Sequence, residues 1–386
     1  MSAAPHRVII IGGGFAGLSA ALALKDNNIS VTLLDKRNFH LFQPLLYQIA
    51  TGSLSESEIA SPLRSILAKR KNVTVYKTEV RHIDLQQKTI HSDTMQLEYD
   101  SLIVATGVTH NYYGNYQWAQ YAPGLKSVED ALEIRQRIFM AFERAEKELD
   151  LEKRKAQMRF VIIGSGPTGV ELAGSLGELA HHTLKNDFRN INPKDVEILL
   201  IEGFERVLPP YSAKLSSIAA EDLTKLGVQI RTNTKVVDIQ RDHIKILCDG
   251  IESVIQTRTV VWAAGMQATP ITKDIAEQAG IELDRMGRIA VNQNLSLPGF
   301  DNIYILGDIA AFKNEEGNLL PGIAPVAKQQ GEYVARAISA KLNSKLISGF
   351  KYFDKGNMAV IGRNKAVAQL GKFQLSGYFA WIIWVF

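Results

Sequence analysis

Short runs of consecutive apolar residues alternate with amphipathic stretches along most of the chain. Arg7 to Ile11 reads as a strand buried on both faces, because its apolar positions are continuous rather than alternating. Gly12-Gly13-Gly14 follows, then a helical pattern from Ala16 to Lys25 and a second strand, Val31 to Leu34, closed by Asp35. This βαβ arrangement predicts the start of a doubly wound α/β sheet. Val73 to Tyr76 and Leu102 to Ala105 read as further strands, the latter ending at Thr106-Gly107. Val128 to Lys155 is charged and helical in pattern, and is expected to carry the chain into a second unit. There the order recurs. The strand Phe160 to Ile163 leads into Gly164-Ser165-Gly166-Pro167-Thr168-Gly169, a helix from Val170, and a strand from Val196 to Ile201 closed by Glu202. Val260 to Ala263 ends at Ala264-Gly265, echoing the earlier Thr106-Gly107, and Ile303 to Leu306 runs into Gly307-Asp308.

The repeated turn is where chemistry enters. Gly12-x-Gly14-x-x-Gly17 follows a strand and opens a helix. In that setting the first glycine permits a tight turn and the second lets backbone approach a pyrophosphate. The third lets helix and strand pack closely. The helix N-terminus offers unpaired N–H groups and a positive dipole end to phosphates. Asp35 lies 18 residues past Gly17, which suits a carboxylate accepting hydrogen bonds from a ribose. Gly164-x-Gly166-x-x-Gly169 repeats the motif with Glu202 as its acid, 33 residues on. The usual interval is about 20, and the segment His181 to Lys194 reads as an insertion in the crossover. A carboxylate at 202 suits the free 2′-hydroxyl of NADH and repels the 2′-phosphate of NADPH, although Arg206 is near. Two dinucleotide sites imply two cofactors: a tightly held flavin, and a nicotinamide that exchanges and delivers hydride. Glu171, on the first turn of the second helix, is either a group at the nicotinamide–flavin junction or an acid favoured by the helix dipole.

Composition narrows the classes. The 386 residues suggest two or three domains, and 46% apolar with 22% charged residues is an ordinary globular mix. A net charge of +4 without a basic block argues against a dedicated nucleic-acid binder. One cysteine, Cys248, excludes an intramolecular disulfide, a redox-active cysteine pair and a cysteine-held metal cluster. Neither His40, His181 nor His182 has a partner spaced for a metal site, so these read as surface or core histidines. Ser165 falls in a phosphate loop rather than in a hydrolase elbow. The apolar N-terminus resembles a signal peptide, but the three glycines interrupt it and a cytosolic chain is expected. Tyr378 to Phe386 is nine consecutive apolar residues with two of the four tryptophans. A spanning helix needs about 20, so this segment is expected to lie in a membrane interface, with Lys365 and Lys372 toward anionic head groups. The alternative is a terminal helix packed on the body or on a second subunit.

Together these motifs resemble the type II NADH:quinone oxidoreductases, the non-proton-pumping NADH dehydrogenases, over essentially the whole chain. Beyond the two glycine motifs, the resemblance is carried by Asp35 to Gln48 (DKRNFHLFQPLLYQ) with Ala50-Thr51-Gly52, and by Gly164 to Gly174. It continues in Val261 to Gly265 (VWAAG), Leu306-Gly307-Asp308, Pro321 to Gly331 and Leu375 to Trp384. It implies an FAD-dependent enzyme that passes hydride from NADH to flavin and two electrons to a membrane quinone. It implies that Gly12, Gly14, Phe15, Ala16, Gly17, Asp35, Lys36 and Val80 hold FAD, with Thr106 and Gly107 covering it. Asp308 would meet the ribityl or phosphate region, and Ala324-Pro325 the isoalloxazine. Gly164, Gly166, Gly169, Glu202, Ala264 and Gly265 would hold NADH. Glu171 matches a glutamate proposed to assist catalysis, and Gln329 a glutamine at the quinone site. The family often has Ala-Gln at 324–325, where this chain has proline. Lys328 is a candidate replacement for the missing amide. Members also usually continue for several tens of residues past Phe386, so the chain is expected to stop inside the first anchoring helix.

The expected organisation is a discontinuous FAD domain, 1–114 and 287–349, with an NADH domain at 115–286 and a C-terminal cap and partial membrane anchor at 350–386. Peripheral attachment at the cytoplasmic face of the inner membrane and a homodimer are expected. The rival readings are a ferredoxin or rubredoxin reductase with a protein acceptor, and a cofactor-binding sensor without turnover. Disulfide reductases and sulfide:quinone reductases need cysteine pairs that the chain lacks.

Overall fold

Five parallel strands build the first sheet, in the spatial order Ile303–Ile305, Ser101–Val104, His6–Ile11, Ile29–Asp35, Val73–Lys77. The continuous apolar run of the central strand is explained by cover on both faces. Val8 and Ile10 point into one core with Val31 and Leu33, closed by residues of the helices Phe15–Ala23 and Ala324–Leu342. Ile9 and Ile11 point into the other, with Leu102, Val104, Ile271 and Ile275. The two helices of the first core meet at small residues: a Cβ on Gly331 would stand 2.2 Å from the Ala16 carbonyl oxygen. A second layer comes from the antiparallel strands Val80–Asp84, Thr89–Ser92 and Gln96–Glu98, which place Ile83 and Ile90 in the second core.

This computed structural model describes residues 4–371 and 373–385, in two compact units. The first unit comprises residues 4–41, 60–109 and 266–354. The second comprises 42–59, 110–265 and the described residues from 355 onward. The segment 42–59 therefore groups with the second unit and 266–286 with the first, and the terminal segment is no separate body.

The second unit holds a four-stranded parallel sheet, ordered Val228–Arg231, Glu197–Ile201, Arg159–Ile163, Thr259–Trp262. An antiparallel sheet of Thr234–Ile239, His243–Cys248 and Ile251–Gln256 covers part of it. The single long helix expected over 128–155 is instead two, Val128–Lys147 and Leu151–Gln157. The break has local causes. Asp150 caps the second helix by accepting from the N–H groups of Glu152 and Lys153, and the Arg154 guanidinium takes the Glu148 carbonyl. The helix after the second glycine loop spans Pro167–Glu178, starting earlier than Val170 because proline suits its first turn.

The terminal strands Asn357–Gly362, Lys365–Leu370 and Phe373–Ser376 form an antiparallel sheet, followed by the helix Gly377–Val385. This sheet lies against the Pro167–Glu178 helix so closely that a Cβ on Gly174 would stand 1.7 Å from the Ile361 carbonyl oxygen. Ala380 is buried with Val360, Ala366 and Ala368, while Tyr378, Phe379 and Ile383 are exposed. Among the described residues no helix is long and apolar enough to cross a membrane. Lys372 and Phe386 lie outside the described residues.

Candidate active site

The glycine loop of the first unit has a distinct steric signature. Gly12 has φ +101°, and a Cβ there would stand 2.4 Å from the Ala105 carbonyl oxygen. At Gly17 a Cβ would stand 1.9 Å from the Gly12 carbonyl oxygen. Gly14 differs: its φ is −69°, which any residue adopts, and a Cβ would meet no protein atom within 4 Å. Protein packing thus requires the first and third glycines but not the second. Space over Gly14, at a helix N-terminus, is what a pyrophosphate cradle needs. Asp35 braces the loop. Its carboxylate accepts from the Gly13 N–H at 2.8 Å, and from the N–H groups of Arg37 and Asn38 at 2.7 and 2.9 Å. His40 also braces it, donating from Nδ1 to the Gly13 carbonyl at 3.1 Å and packing edge-on against Phe15. Reading His40 as an ordinary histidine missed this role, which only the fold reveals because 27 residues separate the partners.

The second unit repeats the signature. Gly164 has φ +98° and its Cβ would stand 2.8 Å from Ala264, while a Cβ on Gly169 would stand 1.9 Å from the Gly164 carbonyl oxygen. A Cβ on Gly166, at φ −66°, would again meet nothing within 4 Å. Glu202 is buried. It accepts from the Ser165 N–H at 2.8 Å, the Ser165 hydroxyl at 2.7 Å and the Phe204 N–H at 3.0 Å. Arg206 turns its guanidinium to the Pro209 carbonyl at 3.2 Å. Both crevices therefore fit a dinucleotide by the same test, a cradle that a side chain at the second glycine would fill.

Glu171 lies on the helix that leaves the second loop. Loss of hydration pushes its carboxyl up to about 8, against the opposing effect of the Val360 N–H, which donates to Oε1 at 3.3 Å. Burial also raises the phenols of Tyr47 and Tyr211, and the Glu171 charge adds to both shifts. The Tyr47 hydroxyl accepts from Gln48 at 3.2 Å. Glu171, the two buried tyrosines and residues Phe42 to Gln48 of the LFQPLLYQ segment thus lie in one unit.

The sequence profile of the pyridine nucleotide-disulphide oxidoreductases matches residues 6–331. A type II NADH:quinone oxidoreductase of Mycobacterium tuberculosis is 46% identical over 98% of this chain and 83% of its own length. The chain belongs to the type II NADH:quinone oxidoreductases. A counterpart from Staphylococcus haemolyticus is 28% identical over 94% of the chain and 89% of its own length. By fold, the chain is similar to the NDH2 structure from Plasmodium falciparum in complex with NADH. The TM-score is 0.90 at 22% identity, over 98% of this chain and 93% of that one.

In this type II oxidoreductase the remaining expected residues fall as follows. Lys36 is exposed, and Val80 begins its strand half-buried. The Thr106 hydroxyl lies 2.5 Å from that of Thr269, and the Gly107 carbonyl accepts from the Thr269 N–H at 3.4 Å. Asp308 sits in the single turn Gly307–Ile309. Ala324 and Pro325 open the Ala324–Leu342 helix, where a missing N–H breaks no helical bond. Lys328 is exposed. Gln329 spends its amide on backbone, donating to the Phe353 carbonyl and accepting from the Phe353 N–H, both at 2.9 Å. Its neighbour Gln330, not singled out from sequence, is buried and accepts from the Gly307 N–H at 2.7 Å, so it holds the Gly307-Asp308 turn. The signal was a polar residue at a core-facing phase of that helix.

Proposed function

We infer that this type II enzyme oxidises NADH and reduces a quinone through non-covalently bound FAD, without pumping protons. The observation that carries the reading is the matched pair of crevices: one open cradle at Gly14, one at Gly166, each braced by a carboxylate. When bound, FAD supplies the two-electron relay between nicotinamide and quinone. The first unit takes FAD on Gly12, Gly14, Phe15, Ala16, Gly17 and Asp35, with the Gly307-Asp308 turn. The second takes NADH on Gly164, Gly166, Gly169, Glu202, Ala264 and Gly265. The chain's own part is to bind, orient and supply protons.

Glu171 is the proposed proton-holding group. With its carboxyl pushed up to about 8, it keeps its proton at neutral pH and is poised for general acid work. Turnover of the wild type is expected to fall as pH rises past about 8. Glu171→Gln is expected to lower kcat about 100-fold and to abolish that alkaline limb, checked by kcat–pH profiles of both proteins. The linked stability effect has the opposite sense to an ordinary ion-paired acid. The folded-state value is raised, so stability falls as pH rises from 4.5 to about 8, where only the unfolded chain releases this proton.

The family resemblance assigns the quinone end to the stretch around Lys328 and Gln329, where Gln329 fixes the backbone of Phe353 and Lys328 is exposed. Attachment is peripheral, at the cytoplasmic face of the inner membrane, through the exposed Tyr378, Phe379 and Ile383. There a water-soluble NADH and a lipid-dissolved quinone both reach the protein. The test is anaerobic addition of NADH to the purified protein. Bleaching of a flavin spectrum by one equivalent, with recovery on adding quinone, is expected; a spectrum indifferent to NADH would reject the reading.

A further inference from the structure

We propose that Tyr113 is a binding residue for the nicotinamide half of NADH, an assignment that rests on reading the second unit as the NADH unit. The strand order of that unit sets the direction of the ligand. Glu202, at the end of Glu197–Ile201, marks the adenosine side, and Gly166 marks the pyrophosphate. The nicotinamide half must then run past Arg159–Ile163 to the carboxyl end of Thr259–Trp262, where Ala264 and Gly265 stand. Tyr113 is the side chain waiting there. A Cβ on Gly265 would lie 2.8 Å from both Cζ and the hydroxyl of Tyr113, so the ring lies directly over that glycine.

Three features mark this ring as more than core. It is 65% exposed, although its edge meets Trp262 at a centroid distance of 6.2 Å. Its backbone is left-handed, with φ +51°, which is uncommon for an aromatic residue. That conformation is held by an Asx turn in which the Tyr113 N–H donates to Asn111 Oδ1 at 2.8 Å. Asn111 is itself anchored: its carbonyl accepts from Trp262 Nε1 at 3.1 Å, and its N–H donates to the Gly265 carbonyl at 3.3 Å. The left-handed turn thus holds a largely exposed aromatic ring at the end of the crevice. The nearly flat, uncharged dihydronicotinamide ring of NADH, with its ribose, is a ligand that such a ring can pack against.

The test uses the flavin-loaded protein with two ligands, NADH and ADP-ribose, which lacks nicotinamide. Tyr113→Ala is expected to weaken NADH about tenfold and to leave the inhibition constant of ADP-ribose unchanged. Tyr113→Phe keeps the ring and should restore NADH affinity. Tyr113→Gly is measured alongside, because glycine suits the positive φ and guards against a folding failure. Equal weakening of both ligands would show a merely structural turn and overturn the assignment, as would unchanged NADH affinity in both ring-less variants. Wild-type protein that binds neither ligand would overturn the NADH reading of the unit, and the assignment with it, a result distinct from the other two.

Discussion

Gly14→Val is expected to give a folded, colourless and inactive protein. The backbone at Gly14 is ordinary, and an added Cβ meets no protein atom within 4 Å, so the site opens on free space and the fold is expected to accommodate the side chain. What it fills is the approach of the cofactor pyrophosphate to the N-terminus of the Phe15–Ala23 helix. Flavin content should fall to background and quinone-linked NADH oxidation with it. Far-ultraviolet circular dichroism should stay close to wild type, with Tm lower only by the lost stabilisation from ligand. Gly17→Ala is the control. There one methyl would stand 1.9 Å from the Gly12 carbonyl oxygen, and overpacking of backbone costs about 3 kcal/mol or more. That variant should fail by misfolding rather than by colour. A yellow, active Gly14→Val protein would contradict the assignment of this crevice.

Glu202→Gln should cost both stability and cofactor choice. The wild-type carboxylate accepts three hydrogen bonds in a buried place, from the Ser165 N–H, the Ser165 hydroxyl and the Phe204 N–H. An amide fitted there turns its NH2 against one of the backbone N–H donors in either orientation. The loss is about 2–3 kcal/mol, read as a lower denaturation midpoint. Removing the charge also removes the repulsion of a 2′-phosphate, so the NADH-over-NADPH ratio of kcat/KM should shrink about tenfold or more. An unchanged ratio would reject Glu202 as the discriminating acid.

Much of this was legible in the chain because the glycine motifs combine local constraints. Gly12 and Gly164 need left-handed backbone, Gly17 and Gly169 need closeness, and the acids close the next strand; spacing alone encodes all three. The parallel strands were legible for a related reason, since a strand buried on both faces leaves no polar alternation. Long-range partnerships were not legible. Nothing in the pattern of residues 42–59 signals that they group with the second unit. Apolar periodicity shows a helical phase through 128–155, while the break depends on Asp150 and on the reach of Arg154. Gln329 and Gln330 are adjacent and chemically identical, yet one holds the Phe353 backbone and the other the Gly307-Asp308 turn. Only the helix phase and the packing around it separate them. Ser165 was placed in its loop by motif, but its donation to Glu202 joins residues 37 apart and had no sequence signal.

The most direct test is NADH oxidation by the purified wild-type protein, followed by nicotinamide absorbance with and without a short-chain quinone, after recording its visible spectrum. The account predicts a flavin spectrum and rapid oxidation that depends on the quinone. A flavin spectrum with oxidation that no quinone accelerates would contradict it and favour a protein acceptor.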